Sequence, residues 1–312
     1  MSHTVEFSNP NWPMLGMHLE SAAARGLEMV EKDCHGGEPG AVICGLGPSI
    51  QKPGVMRQVR NYVRRGYTVF GIKEAITYLL GKGIAVRYSA SMDPGAQQVA
   101  KTPVHDGVIY CLASSCHPAL FDHLLDAGAE VRVYHSACGY VRHEMAPGFV
   151  IDLTDQQKAI VAGQFELSTD DGCEFSPVCV AAKPEMAVYD ALFGCADVMC
   201  GGFTVGNRAL ALAQYMGFRD LVMAGCDFGW RVVDGDDYYA GFVTRAPLDE
   251  TFQVDDGKVD GKPWKTRPDL LGSAADIAHK IIDGQVTVLG DSLAVALAKR
   301  GRDYVDQVAQ VV

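Results

Sequence analysis

Short apolar runs alternate with stretches of helical periodicity over most of the chain. AVIC at 41–44 runs into Gly-Leu-Gly-Pro-Ser and reads as a buried strand leaving through a turn. VMRQVRNYVRRG at 55–66 spaces its apolar residues as a helix does and stops at a glycine. TVFGI at 68–72 is a strand, KEAITYLLGKG at 73–83 a helix, and AVRYSASMD at 85–93 and GVIYCLASS at 107–115 are strands. PALFDHLLDAG at 118–128 has helical spacing, and EVRVYHSA at 130–137 is strand-like again. Short β-rich runs alternating with glycine-terminated helices predict an α/β fold built on a doubly wound, mostly parallel sheet.

The rhythm breaks at 139–185, which is rich in Gly, Asp, Pro and Ser and reads as an irregular insertion. PEMAVYDALFGCADVM at 184–199 is helical in pattern. GGFTVGNRALALAQYMGF at 201–218 is a loop feeding a helix, and DLVMAGCDFGW at 220–230 is the last strong strand. Asp-Gly dipeptides between β-prone residues then predict an antiparallel hairpin elaboration. A helix near 273–282, a short strand at 286–290 and a helix at 292–299 follow. The expected organisation is an N-terminal helical extension (1–40), a core (41–230) and a C-terminal part (231–312) that completes it.

Composition narrows the function classes. The 312 residues are 48% hydrophobic and 21% charged, enough for one large α/β domain or two small ones. A formal net charge of −11 argues against a uniformly basic nucleic-acid surface. No run approaches the ~18 apolar residues of a membrane span, and the N-terminus lacks a basic region followed by an apolar stretch. The ten cysteines include no C-x-x-C pair, and Cys44, Cys111 and Cys226 sit inside apolar runs. They read as reduced core thiols in a cytoplasmic protein.

In a doubly wound sheet, ligands bind where strand C-termini meet helix N-termini, so strand ends are the places to look for chemistry. After the first strand stand Gly45, Gly47, Pro48 and Ser49. They are either a tight turn or a loop brought close to an anion. Asp93, in SMDPG, is a metal or ribose ligand, or the cap of a turn before Pro94. Ser114, Ser115 and His117 stand after the next strand. They suit phosphate binding or proton transfer, with a plain N-cap as the alternative. His135 ends the strand after that, as a proton-transfer group or a satisfied buried histidine. In GGFTVGNRA, Gly202 leaves room for a ligand, Thr204 can cap the helix, and Arg208 can hold phosphate or carboxylate, with a purely structural loop as the alternative. Asp227, in AGCDFGW, is a carboxylate at the end of an apolar strand, where burial demands a partner such as a backbone N–H, Arg208 or a metal, or else it caps the next turn.

Taken together, GLGPSI, SMDPG, GGFTVGNRALALAQYMGF and VMAGCDFG resemble the MptE-like family. That family is named for the archaeal 6-hydroxymethyl-7,8-dihydropterin diphosphokinase and includes bacterial and phage relatives and the motility accessory factors linked to flagellin glycosylation. The resemblance spans about 41–230, with an echo in VTVLGDSL. It implies a Rossmann-like core and, for the diphosphokinase members, Mg²⁺-dependent diphosphate transfer from ATP. Carried over by position, Gly45, Gly47, Pro48 and Ser49 form one phosphate-facing loop. Gly202, Thr204, Asn207 and Arg208 form a second, and Asp93 and Asp227 are the acids and metal ligands.

The expected function is therefore that of a nucleotide-dependent transferase, moving a diphosphate or glycosyl group from ATP or a nucleotide sugar to a small-molecule or glycan acceptor. His117 or His135 would move the proton. The alternative is a nucleotide-binding or assembly protein on the same scaffold, because a fold does not guarantee a reaction. The tyrosines, Phe242 and Trp264 of the hairpin region would suit subunit contacts in a homo-oligomer.

Overall fold

The computed structural model describes residues 12–136, 186, 188–194, 197–199, 204–233, 236–237, 252–259 and 262–311. The insertion read at 139–185 lies outside them. The strands are β1 (Ala41–Cys44), β2 (Thr68–Gly71), β3 (Tyr88–Ser91), β4 (Ile109–Ala113), β5 (Glu130–Ser136), β6 (Val198–Met199), β7 (Leu221–Ala224), β8 (Trp230–Val233), β9 (Asp236–Asp237), β10 (Phe252–Val259), β11 (Lys262–Thr266) and β12 (Thr287–Leu289). The helices are α1 (Trp12–Ala24), α2 (Pro53–Arg64), α3 (Ala75–Gly81), α4 (Gln98–Lys101), α5 (Pro118–Asp126), α6 (Val205–Tyr215), α7 (Pro268–Ile282), α8 (Leu293–Ala298) and α9 (Arg302–Val311). Eight strands form one parallel sheet in the order β12-β7-β1-β2-β3-β4-β5-β6. The fold is the expected Rossmann-like α/β class.

Contacts divide the chain into two units, Met1–Val30 with Ala90–Gly201, and Glu31–Ser89 with Gly202–Val312. In the first unit, β4 pairs with β5 from Ile109↔Glu130 to Ala113↔Tyr134, and α1 and α5 pack together. Leu19 and Ala22 of α1 and Leu120, Phe121 and Leu124 of α5 are buried. The segment after α1 returns alongside β5, where Val30 N–H donates to the Val133 carbonyl and Val133 N–H to the Glu28 carbonyl, each at 2.8 Å.

In the second unit, β1 is buried along its whole length between β2 and β7, in register Ala41↔Thr68 and Ala41↔Leu221. Strands buried on both faces need continuous apolar runs, which AVIC and LVMA supply. Phe70 of β2 stacks on Tyr88 at 4.9 Å and meets Phe218 edge-on at 5.9 Å. Helix α2 buries Val55, Met56 and Val59 and exposes Arg57, Arg60 and Arg64. The hairpin region is a four-stranded antiparallel sheet in the order β10-β11-β8-β9.

Three readings of the pattern need correction. The run 220–230 is not one strand. Gly225 (φ +66°) and Phe228 (φ +57°) turn the chain after β7, and Trp230 begins β8 in the other sheet. The stretch 184–199 is not helical throughout. Gly194 (φ +65°) stops the helix, and Val198–Met199 pairs with His135–Ser136 as β6. Strand 85–93 shortens to Tyr88–Ser91, because Asp93 closes a turn onto Gly95 N–H.

Phe70 is 0% exposed and holds an aromatic cluster together. Phe70→Ala is expected to destabilise the chain by about 3–5 kcal/mol, read as a lowered denaturant midpoint with an unchanged slope.

Candidate functional site

The path of the chain reverses around β1: β2 pairs on one side of it and β7 on the other. Such a switch point opens a crevice at the strand C-termini in open α/β sheets. Two turns meet there, Gly45–Ser49 after β1 and Gly225–Phe228 after β7. The Gly45 N–H donates to the Ala224 carbonyl at 2.9 Å, and the Gly47 N–H to the Gly225 carbonyl at 2.8 Å. The β1–β7 ladder thus continues past the strand ends.

That continuation explains the glycines. A Cβ on Gly45 would lie 2.6 Å from the Gly225 carbonyl oxygen, and one on Gly225 would lie 2.4 Å from the Gly45 carbonyl oxygen. A Cβ on Gly47 would lie 2.7 Å from Asp227 Oδ2. The close approach that the sequence demands is between two chain segments and a carboxylate. Pro48 then opens a 3₁₀ turn, Pro48–Gln51, that carries Ser49 inward.

Asp227 is 6% exposed and closes the junction. Its Oδ2 accepts from the Ser49 N–H at 2.9 Å, and its Oδ1 accepts from the Ser49 hydroxyl. The amides of Gly45, Gly47 and Ser49 are therefore engaged inside the protein. Burial pushes the Asp227 carboxyl up to about 6, against the opposing pull of the two Ser49 donors and of Lys52, with Asp291 adding to the rise.

Lys52, Asp291 and Ser292 belong to this rim, and the reading of the sequence did not single them out. Lys52 Nζ lies 3.9 Å from Asp291 Oδ2. The Ser292 hydroxyl donates to the Cys226 carbonyl at 3.0 Å, and the Leu293 N–H to the Asp227 carbonyl at 2.9 Å. Gly290 (φ +91°) brings the end of β12 against Ser49. The signal was legible in VTVLGDSL, another short strand ending in glycine, acid and serine.

The second expected loop approaches the same turn. The Cys226 sulfur lies 3.1 Å from where a Gly45 Cβ would stand and 3.5 Å from where a Gly206 Cβ would stand. Thr204 caps α6, accepting from the Asn207 N–H at 3.4 Å and donating to Asn207 Oδ1 at 2.8 Å. Asn207 Nδ2 donates to the Ser273 carbonyl at 3.2 Å and to Asp276 Oδ2 at 2.8 Å. Asn207 thus ties α6 to α7. Arg208 is buried, and its N–H donates to the Thr204 carbonyl at 3.2 Å. Gly202 lies outside the described residues.

The remaining candidates sit in the first unit. Asp93 Oδ1 accepts from the Gly95 N–H at 2.9 Å and Oδ2 from Gln98 Nε2 at 2.5 Å, the geometry of a turn cap. The buried Ser114 hydroxyl lies 3.0 Å from His135 Nδ1. The His135 ring stacks on Tyr189 at 4.3 Å and meets Phe193 edge-on at 4.6 Å. Burial lowers the His135 pKa to about 4, with Asp197 opposing, so the ring is neutral at physiological pH. The Ser115 carbonyl accepts from His18 Nδ1 at 3.1 Å, and His117 Nδ1 accepts from the Ala119 N–H at 3.1 Å, capping α5.

Asp93 and Asp227 belong to different units, and both oxygens of each meet protein donors. Among the described residues no three His, Cys, Asp or Glu side chains are grouped to hold a metal ion. Cys44, Cys111, Cys116 and Cys226 are buried. Burial pushes the Cys226 thiol up to about 12 and raises that of Cys44, so neither is a nucleophile near neutral pH. No described helix is long and apolar enough to cross a membrane.

Two variants probe the junction. Gly225→Ala puts a side chain at φ +66° and against the Gly45 carbonyl, and is expected to cost roughly 3 kcal/mol or more in denaturant unfolding. Asp227 binds its proton more tightly in the folded chain than in the unfolded one, where its pKa is 3.8. Its contribution to stability therefore falls as pH rises from about 4 to about 6 and stays low above that. The stability of the wild type relative to Asp227→Asn should drop by about 2 kcal/mol between pH 4 and pH 7. Parallel stability curves would contradict the shift.

No family profile matches the chain, and no curated protein matches it significantly. Among solved structures it is similar to the Maf glycosyltransferase from Magnetospirillum magneticum AMB-1, at 16% identity and a TM-score of 0.48, over 94% of this chain and 42% of that one. The chain thus spans less than half the length of that protein's chain.

Proposed function

We propose that the chain is a nucleotide-dependent transferase that moves a diphosphate or glycosyl group from a nucleotide donor to an acceptor hydroxyl, with Asp227 as the proton-handling group. The observation that carries this reading is a nearly buried carboxyl, raised to about 6, at the switch point of a parallel sheet. A carboxyl with a pKa near working pH suits acceptance of a proton from an attacking hydroxyl. Ser49 fixes its orientation through two hydrogen bonds. Lys52, exposed on the same rim, offers positive charge to a phosphate. The motif resemblance supports a nucleotide donor, and Arg208 is the guanidinium that would meet its phosphates.

A second reading has its own support. With the amides of Gly45, Gly47 and Ser49 engaged internally, the first loop offers fewer donors to a phosphate than its glycines suggested. That favours a nucleotide-binding or assembly protein on the same scaffold.

Calorimetry and product analysis with ATP, CTP, UDP-sugars and CMP-sugars, each with and without Mg²⁺, separate the two. The transferase reading expects donor binding and turnover, and an Asp227→Asn variant that keeps donor affinity within a few-fold but loses about 100-fold or more in rate. Binding without turnover selects the second reading. No binding of any donor would overturn the transferase reading and leave only the assembly role.

A further inference from the structure

The outer face of α2 carries a one-sided charge pattern that no described carboxylate balances. From residue 39 to residue 73 the chain has six cations, Lys52, Arg57, Arg60, Arg64, Arg65 and Lys73, and no Asp or Glu. The whole chain stands at −11, so the remainder stands at −17. Arg57, Arg60 and Arg64 are exposed, opposite the buried Val55, Met56 and Val59. Their i, i+3, i+7 spacing makes one stripe about 10 Å long.

Among the described residues, Arg60 and Arg64 of α2 and the adjoining Arg65 contact uncharged groups. Arg60 donates to the Lys82 carbonyl at 3.2 Å, which sets the exposed Lys82 beside the stripe. Arg64 donates to Asn61 Oδ1 at 2.9 Å, and the Arg65 guanidinium lies 5.1 Å from the Tyr62 and Tyr67 ring centres. Among the described residues, none of these four arginines meets a carboxylate. Like charges one helical turn apart destabilise a helix, and no described carboxylate offsets that cost.

A complementary face exists in the first unit. Asp122, Asp126 and Glu130 are exposed, and Asp122 and Asp126 stand one turn apart on α5. Asp122 is paired with Arg25 at 2.5 Å and Glu130 with Arg132 at 2.8 Å. Asp126 meets no cation among the described residues. Its separation from Asp122 equals that of Arg64 from Arg60.

We propose that the arginine face of α2 docks the α5 carboxylate face of a second copy of this chain. Arginine forks suit carboxylates. The excess negative charge of the remainder disfavours a long polyanion such as nucleic acid or an anionic membrane, while it supplies the carboxylates of a second copy. Each copy carries both faces, so the contact joins unlike surfaces of two copies. The contact stands apart from any transferase activity.

Sedimentation velocity of the full chain tests it. The expected result is a mass about twice that of the monomer or larger at low salt, falling to the monomer in about 0.5 M NaCl, where the Debye length is about 4 Å. Arg57→Glu/Arg60→Glu/Arg64→Glu and, separately, Asp122→Arg/Asp126→Arg should each give the monomer. The chain carrying both sets has the charges exchanged and should associate again, which a merely misfolded variant would not do. A wild type that is monomeric at low salt, association that survives either set, or a doubly reversed chain that stays monomeric would overturn the proposal. So would a monomer that binds a single-stranded DNA 20-mer through these arginines.

Discussion

The second unit depends on how closely two turns approach each other. β1 and β7 lie side by side as parallel strands, and their backbones stay paired after both strands have ended. The approach leaves no room for a Cβ at Gly45, Gly47 or Gly225. It also brings the Asp227 carboxyl into a space from which water is nearly excluded, with Ser49 as its direct hydrogen-bonding partner. A buried carboxylate without donors would be far too costly, and with two donors it is still held part-way towards protonation. Backbone packing and a titratable group near neutrality have the same cause.

Around that junction the chain adds further constraints. β12 ends at Gly290 against Ser49, and Ser292 and Leu293 bond to the Cys226 and Asp227 carbonyls. The turn after β7 is therefore held from both sides. Asn207 anchors the start of α6 to α7 through two hydrogen bonds, and two more with Thr204 cap α6 itself. Residues that look like ligand contacts in a motif are, in this chain, also the parts that hold its loops in place.

The sheet was legible because its strands are short apolar runs with glycine or acid at their ends, a pattern fixed by burial on both faces. The interruptions were less legible. DLVMAGCDFGW is apolar enough to read as one strand, and only the positive φ at Gly225 and Phe228 divides it. VM at 198–199 reads as the end of a helix, because its pairing with His135 and Ser136 is set by tertiary contact. In the site, Asp227 was found by asking what a carboxylate does at the end of a buried strand. Its partner Ser49 was found too, in the role of a phosphate contact, since sequence carries no sign that residues 178 positions apart would share hydrogen bonds. Lys52 and Asp291 were missed because each looks like an ordinary surface charge until β12 and α2 place them beside Asp227.

The central claim is that Asp227 is a buried carboxyl held in place by Ser49 and poised near neutrality. Following the Asp227 carboxyl carbon by NMR through a pH titration tests it most directly. The account predicts a midpoint near 6, moving higher in Ser49→Ala, because the hydroxyl favours the charged form. A midpoint near 3.8, or one that Ser49→Ala leaves in place, would contradict it.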